Sequence, residues 1–135
     1  MEDKNQEVIL EMKDLSISFF NKSGEIQAVR GINYTLHKGE VLGIVGESGS
    51  GKSVSSHGIL RLTPDTGKVK TGEILFHGKD ILKMNKKELQ ELRGNKIAMI
   101  FQDPMTSLNP TMKVGKQIME SILLHSKVSK DEAKK

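Results

Sequence analysis

The run Val41-Leu42-Gly43-Ile44-Val45-Gly46-Glu47-Ser48-Gly49-Ser50-Gly51-Lys52-Ser53-Val54 decides how this sequence folds. Val41 to Val45 is apolar on both faces, the pattern of a strand buried in a parallel sheet. Gly46 to Ser53 then fits G-x-x-x-x-G-K-[ST] without a mismatch, and the residues up to Pro64 predict a short helix. Strand, glycine loop and helix in that order make a cradle for phosphates. Glycines let the backbone curl with its N–H groups unobstructed. The helix that opens near Lys52 points its positive end at the anion. Lys52 is placed to reach the β- and γ-phosphates of a triphosphate tail, and the Ser53 hydroxyl to ligate Mg²⁺. Ser48 and Ser50 contribute main-chain N–H groups.

Towards the N-terminus, Val8, Leu10 and Met12 alternate with Ile9 and Glu11, and Leu15, Ile17 and Phe19 with Ser16 and Ser18. Both runs read as strand, but the phase slips by one at Lys13-Asp14, which predicts a bulge or bend there. Asn21 to Gly24 is a turn cluster. Ile32, Tyr34 and Leu36 alternate as in a half-buried second strand, and His37 to Glu40 turns again.

Beyond the helix, Thr63 to Lys70 reads as loop and Glu73 to His77 as a short strand. Asn85 and Glu88 have the spacing of a helix N-cap and its capping box. Leu89 and Leu92 give that helix an apolar edge, and Gly94 stops it. Ile97 to Phe101 is a second fully apolar run, hence a second buried strand. Asp103 to Pro110 is loop. Val114, Ile118 and Ile122, with Ser121, share one helical face, and the charged tail from Lys127 frays. Gln102 closes the second apolar run. At the end of a buried strand beside a phosphate loop, a neutral amide can touch both Mg²⁺ and an attacking water.

Composition bounds the function. The 135 residues are 36% hydrophobic and 28% charged, enough for one domain with a lean core. There is no cysteine, which removes disulfides, thiolate zinc sites and cysteine nucleophiles together. The net charge of +4 permits an anionic partner without demanding one. No apolar run approaches the ~20 residues of a membrane span. Met1 to Glu7 is polar, without the apolar core of a signal peptide. A soluble cytosolic chain is the expectation.

Taken together, Gly46 to Ser53 and Phe101-Gln102-Asp103-Pro104 resemble the ATP-binding subunit of ABC transporters, over Val8 to Leu124. Gly46 to Val54, the run Ile97 to Pro110, Ala28-Val29-Arg30-Gly31 and Gly72 to Phe76 are similar to the dipeptide, oligopeptide and nickel importer branch. His57-Gly58 departs from it, where better helix formers are expected; Gly58 costs roughly 1 kcal/mol against Ala inside a helix. The resemblance implies an α/β fold: an incomplete P-loop NTPase core, an N-terminal antiparallel β region and the start of a helical subdomain. Residues 8–45 hold the β region and first core strand, and 46–62 the phosphate loop and helix. Residues 63–101 hold connecting strands, a helix and a core strand, 102–126 the glutamine loop and start of the helical subdomain, and 127–135 the tail. The cofactors implied are ATP and Mg²⁺, held by Gly46, Glu47, Ser48, Gly49, Ser50, Gly51, Lys52, Ser53 and Val54. Lys52 and Gln102 carry the catalytic roles, and Ser53 and Gln102 the metal. Phe19 falls where the family stacks an aromatic on adenine; Phe20 is the fallback, and Phe19 packing within the first strand is the alternative.

The implied partners are transmembrane permease subunits, a second ATP-binding subunit and, indirectly, a substrate-binding protein. The implied place is peripheral, on the cytoplasmic side of the membrane. The sequence holds no L-S-G-G-Q signature and no apolar strand ending in Asp-Glu, so it reads as the N-terminal part of a longer subunit, inactive by itself in hydrolysis. The other readings are a nucleotide-binding module without catalysis, a small P-loop kinase and a nucleic-acid binder. Arg30, Arg61 and Arg93 are too dispersed for a kinase lid. The scattered lysines lack the aromatic platform of a nucleic-acid surface, so no nucleic acid is expected.

Overall fold

The computed structural model describes residues 6–103 and 108–134. The chain divides into two compact units, one ending at Asn85 and the other beginning at Lys86.

The first unit is built on strand β1, Val8–Asn21, which pairs antiparallel with β2, Gly24–His37, on one edge and with β3, Gly67–Phe76, on the other. A short β4, Lys79–Asp80, completes the order β2-β1-β3-β4. The predicted turn at Asn21 to Gly24 closes the first hairpin, with the Asn21 side-chain oxygen accepting from the Ser23 N–H at 2.8 Å.

The predicted irregularity at Lys13-Asp14 is present, and it crosses three strands. Pairing shifts between Met12 and Leu15 on the β2 side and between Lys13 and Ser16 on the β3 side. Asp14 stands at φ 46°, Gly31 on β2 at 60° and Gly72 on β3 at 93°. The Asp14 N–H donates to the Asn33 side-chain oxygen at 2.8 Å, and the Thr71 hydroxyl donates to the Asp14 carbonyl at 3.1 Å. The extra residue keeps Met12 and Leu15 on one face although they are three apart. Leu10, Met12, Leu15 and Ile17 are therefore all buried, with Val29, Leu60, Ile74, Ile81 and Met84.

Helix α1, Lys52–Ile59, covers that face. Gly58 explains the departure from good helix formers: a Cβ there would sit 2.9 Å from Ile17 Cδ1, a side chain with no exposed surface. The glycine sacrifices helix propensity for close approach to β1.

The expectation for Val41 to Val45 is corrected. The segment forms no ladder, and Val41 and Val45 are 95% and 96% exposed. Ile97 to Phe101 likewise forms only a parallel bridge from Ile97 to Arg93, with Ile100 97% exposed. A parallel strand buried on both faces needs neighbours on its edges and layers over its faces, and the described residues supply neither to these runs. The predicted loop Thr63 to Lys70 is also corrected. β3 begins at Gly67, because its polar first half finds Ile17 to Phe19 of β1 to pair with. Strand pairing overrides the local polarity of Lys68 and Lys70.

In the second unit α2, Lys86–Leu92, starts directly after Asn85 and buries Leu89 and Leu92, and Gly94 stands at φ 78° beyond its end. The predicted helix through Val114, Ile118 and Ile122 is α3, Val114–His125, which has no fully buried residue. The Gln117 amide clamps the loop before it, donating to the Asn109 and Met112 carbonyls at 3.0 and 2.9 Å. The tail departs from expectation. Lys130–Ala133 forms α4 behind a capping box, in which the Ser129 N–H donates to Glu132 at 2.8 Å. Ser129-x-x-Glu132 is the signature of such a start. Among the described residues no helix is long and apolar enough to cross a membrane.

A Cβ on Gly72 would collide with the Lys13 and Asp14 carbonyl oxygens, whereas Gly78, also left-handed at φ 76°, faces open space. Gly72→Ala is expected to lower stability in urea unfolding by about 3 kcal/mol, and Gly78→Ala by about 1 kcal/mol. Equal losses would overturn the account of the bulge.

Candidate functional site

The loop between Val45 and α1 owes its shape to its glycines. Gly49 and Gly51 stand at φ 80° and 90°, where a side chain is strained. Gly51 is the N-cap of α1 and presses on β2, so that a Cβ there would collide with the Ala28 carbonyl oxygen and lie 3.3 Å from Val29 Cγ2. A Cβ on Gly46 would meet the Ser50 hydroxyl at 2.7 Å. The Ser50 N–H donates to the Glu47 carbonyl at 3.2 Å, closing the loop as a turn.

Lys52 folds back over this turn. Its Nζ donates to the Gly46 carbonyl at 2.6 Å, the Glu47 carbonyl at 2.7 Å and the Ser50 hydroxyl at 3.3 Å. A cation is thus held among oxygens at the mouth of a helix. No side chain caps α1 and no acidic residue stands in its first turn, so no side chain competes for its leading N–H groups. Ser55 and Ser56 return their hydroxyl protons to the Lys52 carbonyl at 2.8 and 3.1 Å, fixing the first turn.

The site residues read from sequence fall into two groups. Gly46, Glu47, Ser48, Gly49, Ser50, Gly51, Lys52, Ser53 and Val54 are contiguous, with Gly46 to Ser50 and Ser53 exposed and Lys52 and Val54 half-buried. Phe19 lies on β1, half-buried, its ring edge against Gly67, where a Cβ would come within 2.8 Å. Gln102 is in the second unit, exposed at a bend. The residues present fit a phosphate chain: the close glycine contacts, the lysine and the uncapped helix end are its complement. Among the described residues there is no cluster of three or more His, Asp or Glu able to hold a metal. The Ser53 hydroxyl is the kind of oxygen donor that would suit a Mg²⁺ ion held mainly by phosphate oxygens and water. Sequence reading missed the Ala28 carbonyl, which seats Gly51; no motif marks a backbone contact of that kind.

Such a loop at the head of a helix, packed on a β-sheet, defines a P-loop nucleotide-binding protein. Residues 29–135 match the ABC transporter family, and the chain belongs to that family. It is similar to the oligopeptide transport ATP-binding protein OppD of Bacillus subtilis, at 62% identity over 94% of this chain and 36% of that protein. The dipeptide transport ATP-binding protein DppD of the same organism is 50% identical over 96% of this chain and 39% of its own length. The chain thus spans little more than a third of the curated relatives it matches. A dimeric bacterial ABC transporter cassette superimposes with a TM-score of 0.77 at 23% identity, covering 93% of this chain and 53% of the cassette. That agreement supports the fold: an incomplete P-loop α/β core with its antiparallel β region.

Gly51→Ala should open the loop locally, by driving it from the Ala28 carbonyl. Amide exchange at Ser55, whose N–H is bonded to the Gly51 carbonyl at 2.8 Å, is expected to quicken roughly tenfold, while Leu89 in the other unit is unaffected. Unchanged exchange at Ser55 would remove the Ala28 contact as the loop's anchor.

Proposed function

We propose that this chain binds Mg-ATP and supplies the phosphate-binding part of an importer subunit that couples ATP binding and hydrolysis to uptake of peptides, with nickel as the other cargo class of that branch. The observation that carries the reading is Lys52, held by three loop oxygens at the uncapped start of α1. Its ammonium exchanges these oxygens for those of the β- and γ-phosphates. The loop N–H groups and Ser53 follow the roles their positions suit, and Mg²⁺, when bound, neutralises charge on the phosphate oxygens. Gln102 orients water and metal, so that its loop responds to the nucleotide. The partners are membrane-spanning permease subunits, a second ATP-binding subunit and, through the permease, a substrate-binding protein. The place is the cytoplasmic face of the membrane. The names of the relatives, oligopeptide and dipeptide transport ATP-binding proteins, support the peptide cargo.

The strand alternation favours Phe19 over Phe20 for the adenine. Phe19 follows Ile17 on the face that α1 covers, and the Gly51 end of that helix rests on Ala28 and Val29. Phe20 points to the opposite face, where Lys68 and Lys70 lie 5.8 and 5.3 Å from its ring centre. Phe19→Ala is expected to weaken ATP binding about tenfold and to leave inorganic triphosphate binding unchanged, with Phe20→Ala affecting neither. Loss of both ligands alike in Phe19→Ala would count against stacking.

The second reading is binding without turnover. Thermal unfolding with and without Mg-ATP tests the binding common to both. At about 100 times the dissociation constant, ligand adds roughly 2.7 kcal/mol of stability. The shift is expected in the parent and absent in Lys52→Ala, and phosphate release is measured beside it. A cooperative transition indifferent to nucleotide would sink the proposal, whereas steady phosphate release would rule out the second reading only.

A further inference from the structure

The face of the sheet opposite α1 carries a second set of cationic and hydroxyl side chains. Ser16 and Ser18 alternate with the buried Leu15 and Ile17, so their side chains point away from the core. With Gln27 and Arg30 of β2 and Lys70 and Thr71 of β3 they line a cavity of about 240 Å³. No carboxylate lines it. Ser18 is 1% exposed although it points to the solvent side, so its neighbours close over it.

The charges around this cavity are unevenly committed. Lys70 pairs with Glu25 at 3.4 Å, at the cavity's edge. The Ser18 hydroxyl, and then the Lys70 ammonium, hold the Glu25 carboxyl below its ordinary range against the effect of burial. The surroundings therefore already favour a negative group. Arg30 makes no ion pair and no hydrogen bond among the described residues, and the nearby Asp14 is turned to Gly31 and does not pair with it. Lys68 adds a third cation on this face, beside Phe20.

We propose that this cavity is a binding site for a phosphate group, separate from the phosphate loop, with Arg30 and Lys70 as its cations and the Ser16 hydroxyl as the donor below. That hydroxyl accepts from the Gly31 N–H and keeps its own proton to give, whereas Thr71 donates to the Asp14 carbonyl and Ser18 to Glu25. A tetrahedral oxyanion has enough oxygens to meet a guanidinium on one wall, an ammonium on the other and a hydroxyl below; a carboxylate has two. Glu25 acts as the internal competitor, since an entering anion must take Lys70 from it. The phosphate group can come from free phosphate or from a phospholipid headgroup.

Inorganic phosphate is titrated into the Lys52→Ala chain, which removes the loop's own lysine, and backbone amide shifts are followed by NMR. Saturable shifts at Ser16, Gln27 and Thr71 at millimolar phosphate are expected. Arg30→Gln should raise the dissociation constant at least tenfold, and Glu25→Gln should lower it several-fold, because the competitor is gone. Flotation with vesicles of phosphatidylglycerol against phosphatidylcholine is the second arm. Binding to the former alone, lost in Arg30→Gln, assigns the group to a headgroup; phosphate shifts without vesicle binding assign it to the free ion. Thermal melts of Arg30→Gln and Glu25→Gln within a degree or two of the parent exclude misfolding, and Arg30→Lys stands in where Arg30→Gln does not fold. No saturable response in either arm, or a Glu25→Gln variant that binds more weakly, overturns the proposal.

Discussion

β1 is bonded along both edges, so an extra residue within it must be absorbed by two neighbours at once. Asp14 is that residue. Its left-handed backbone is matched by Gly31 on one side and Gly72 on the other, and Asn33 and Thr71 take up the N–H and C=O groups that the ladders release. With the slip accommodated, Leu10 and Met12 before it and Leu15 and Ile17 after it share one buried face. α1 rests on that face, and the phosphate loop is seated by the contact of Gly51 with Ala28. The site is thus two packing steps removed from a backbone irregularity near the start of the chain.

The sequence was most legible where the determinants are local. The phase slip at Lys13-Asp14, the turn at Asn21 to Gly24 and the loop Gly46 to Ser53 each follow from conformations that a few residues impose on themselves. Leu89, Leu92 and Gly94 placed α2 for the same reason. Legibility ended where structure depends on distant partners. Val41 to Val45 and Ile97 to Phe101 have the composition of core strands, but a strand is defined by its neighbours, and the described residues provide none that pair with them along their length. Lys68 and Lys70 read as loop because their polarity is local, whereas their pairing with β1 is not. In the candidate site the motif residues were readable; the Ala28 carbonyl beneath Gly51 and the need for glycine at position 58 were not, since both are contacts between elements.

The alternation of β1 also separates two chemistries within three residues. Ile17 and Phe19 belong to the side that carries α1 and the phosphate loop. Ser18 and Phe20 belong to the other, with Lys68, Lys70 and Arg30. A one-residue shift of register would exchange the two sets. Backbone geometry here assigns side chains to their tasks.

The contact between Gly58 and Ile17 has a mechanical meaning. α1 is two turns long and behaves as a short rigid rod, with Lys52 at one end and Gly58 seated on a core methyl near the other. The helix meets the sheet at both ends, through Gly51 on Ala28 and Gly58 on Ile17, so one short element is gripped by the core at one end and carries the phosphate loop at the other. Packing density at Ile17 is thereby a property that the loop shares with the core.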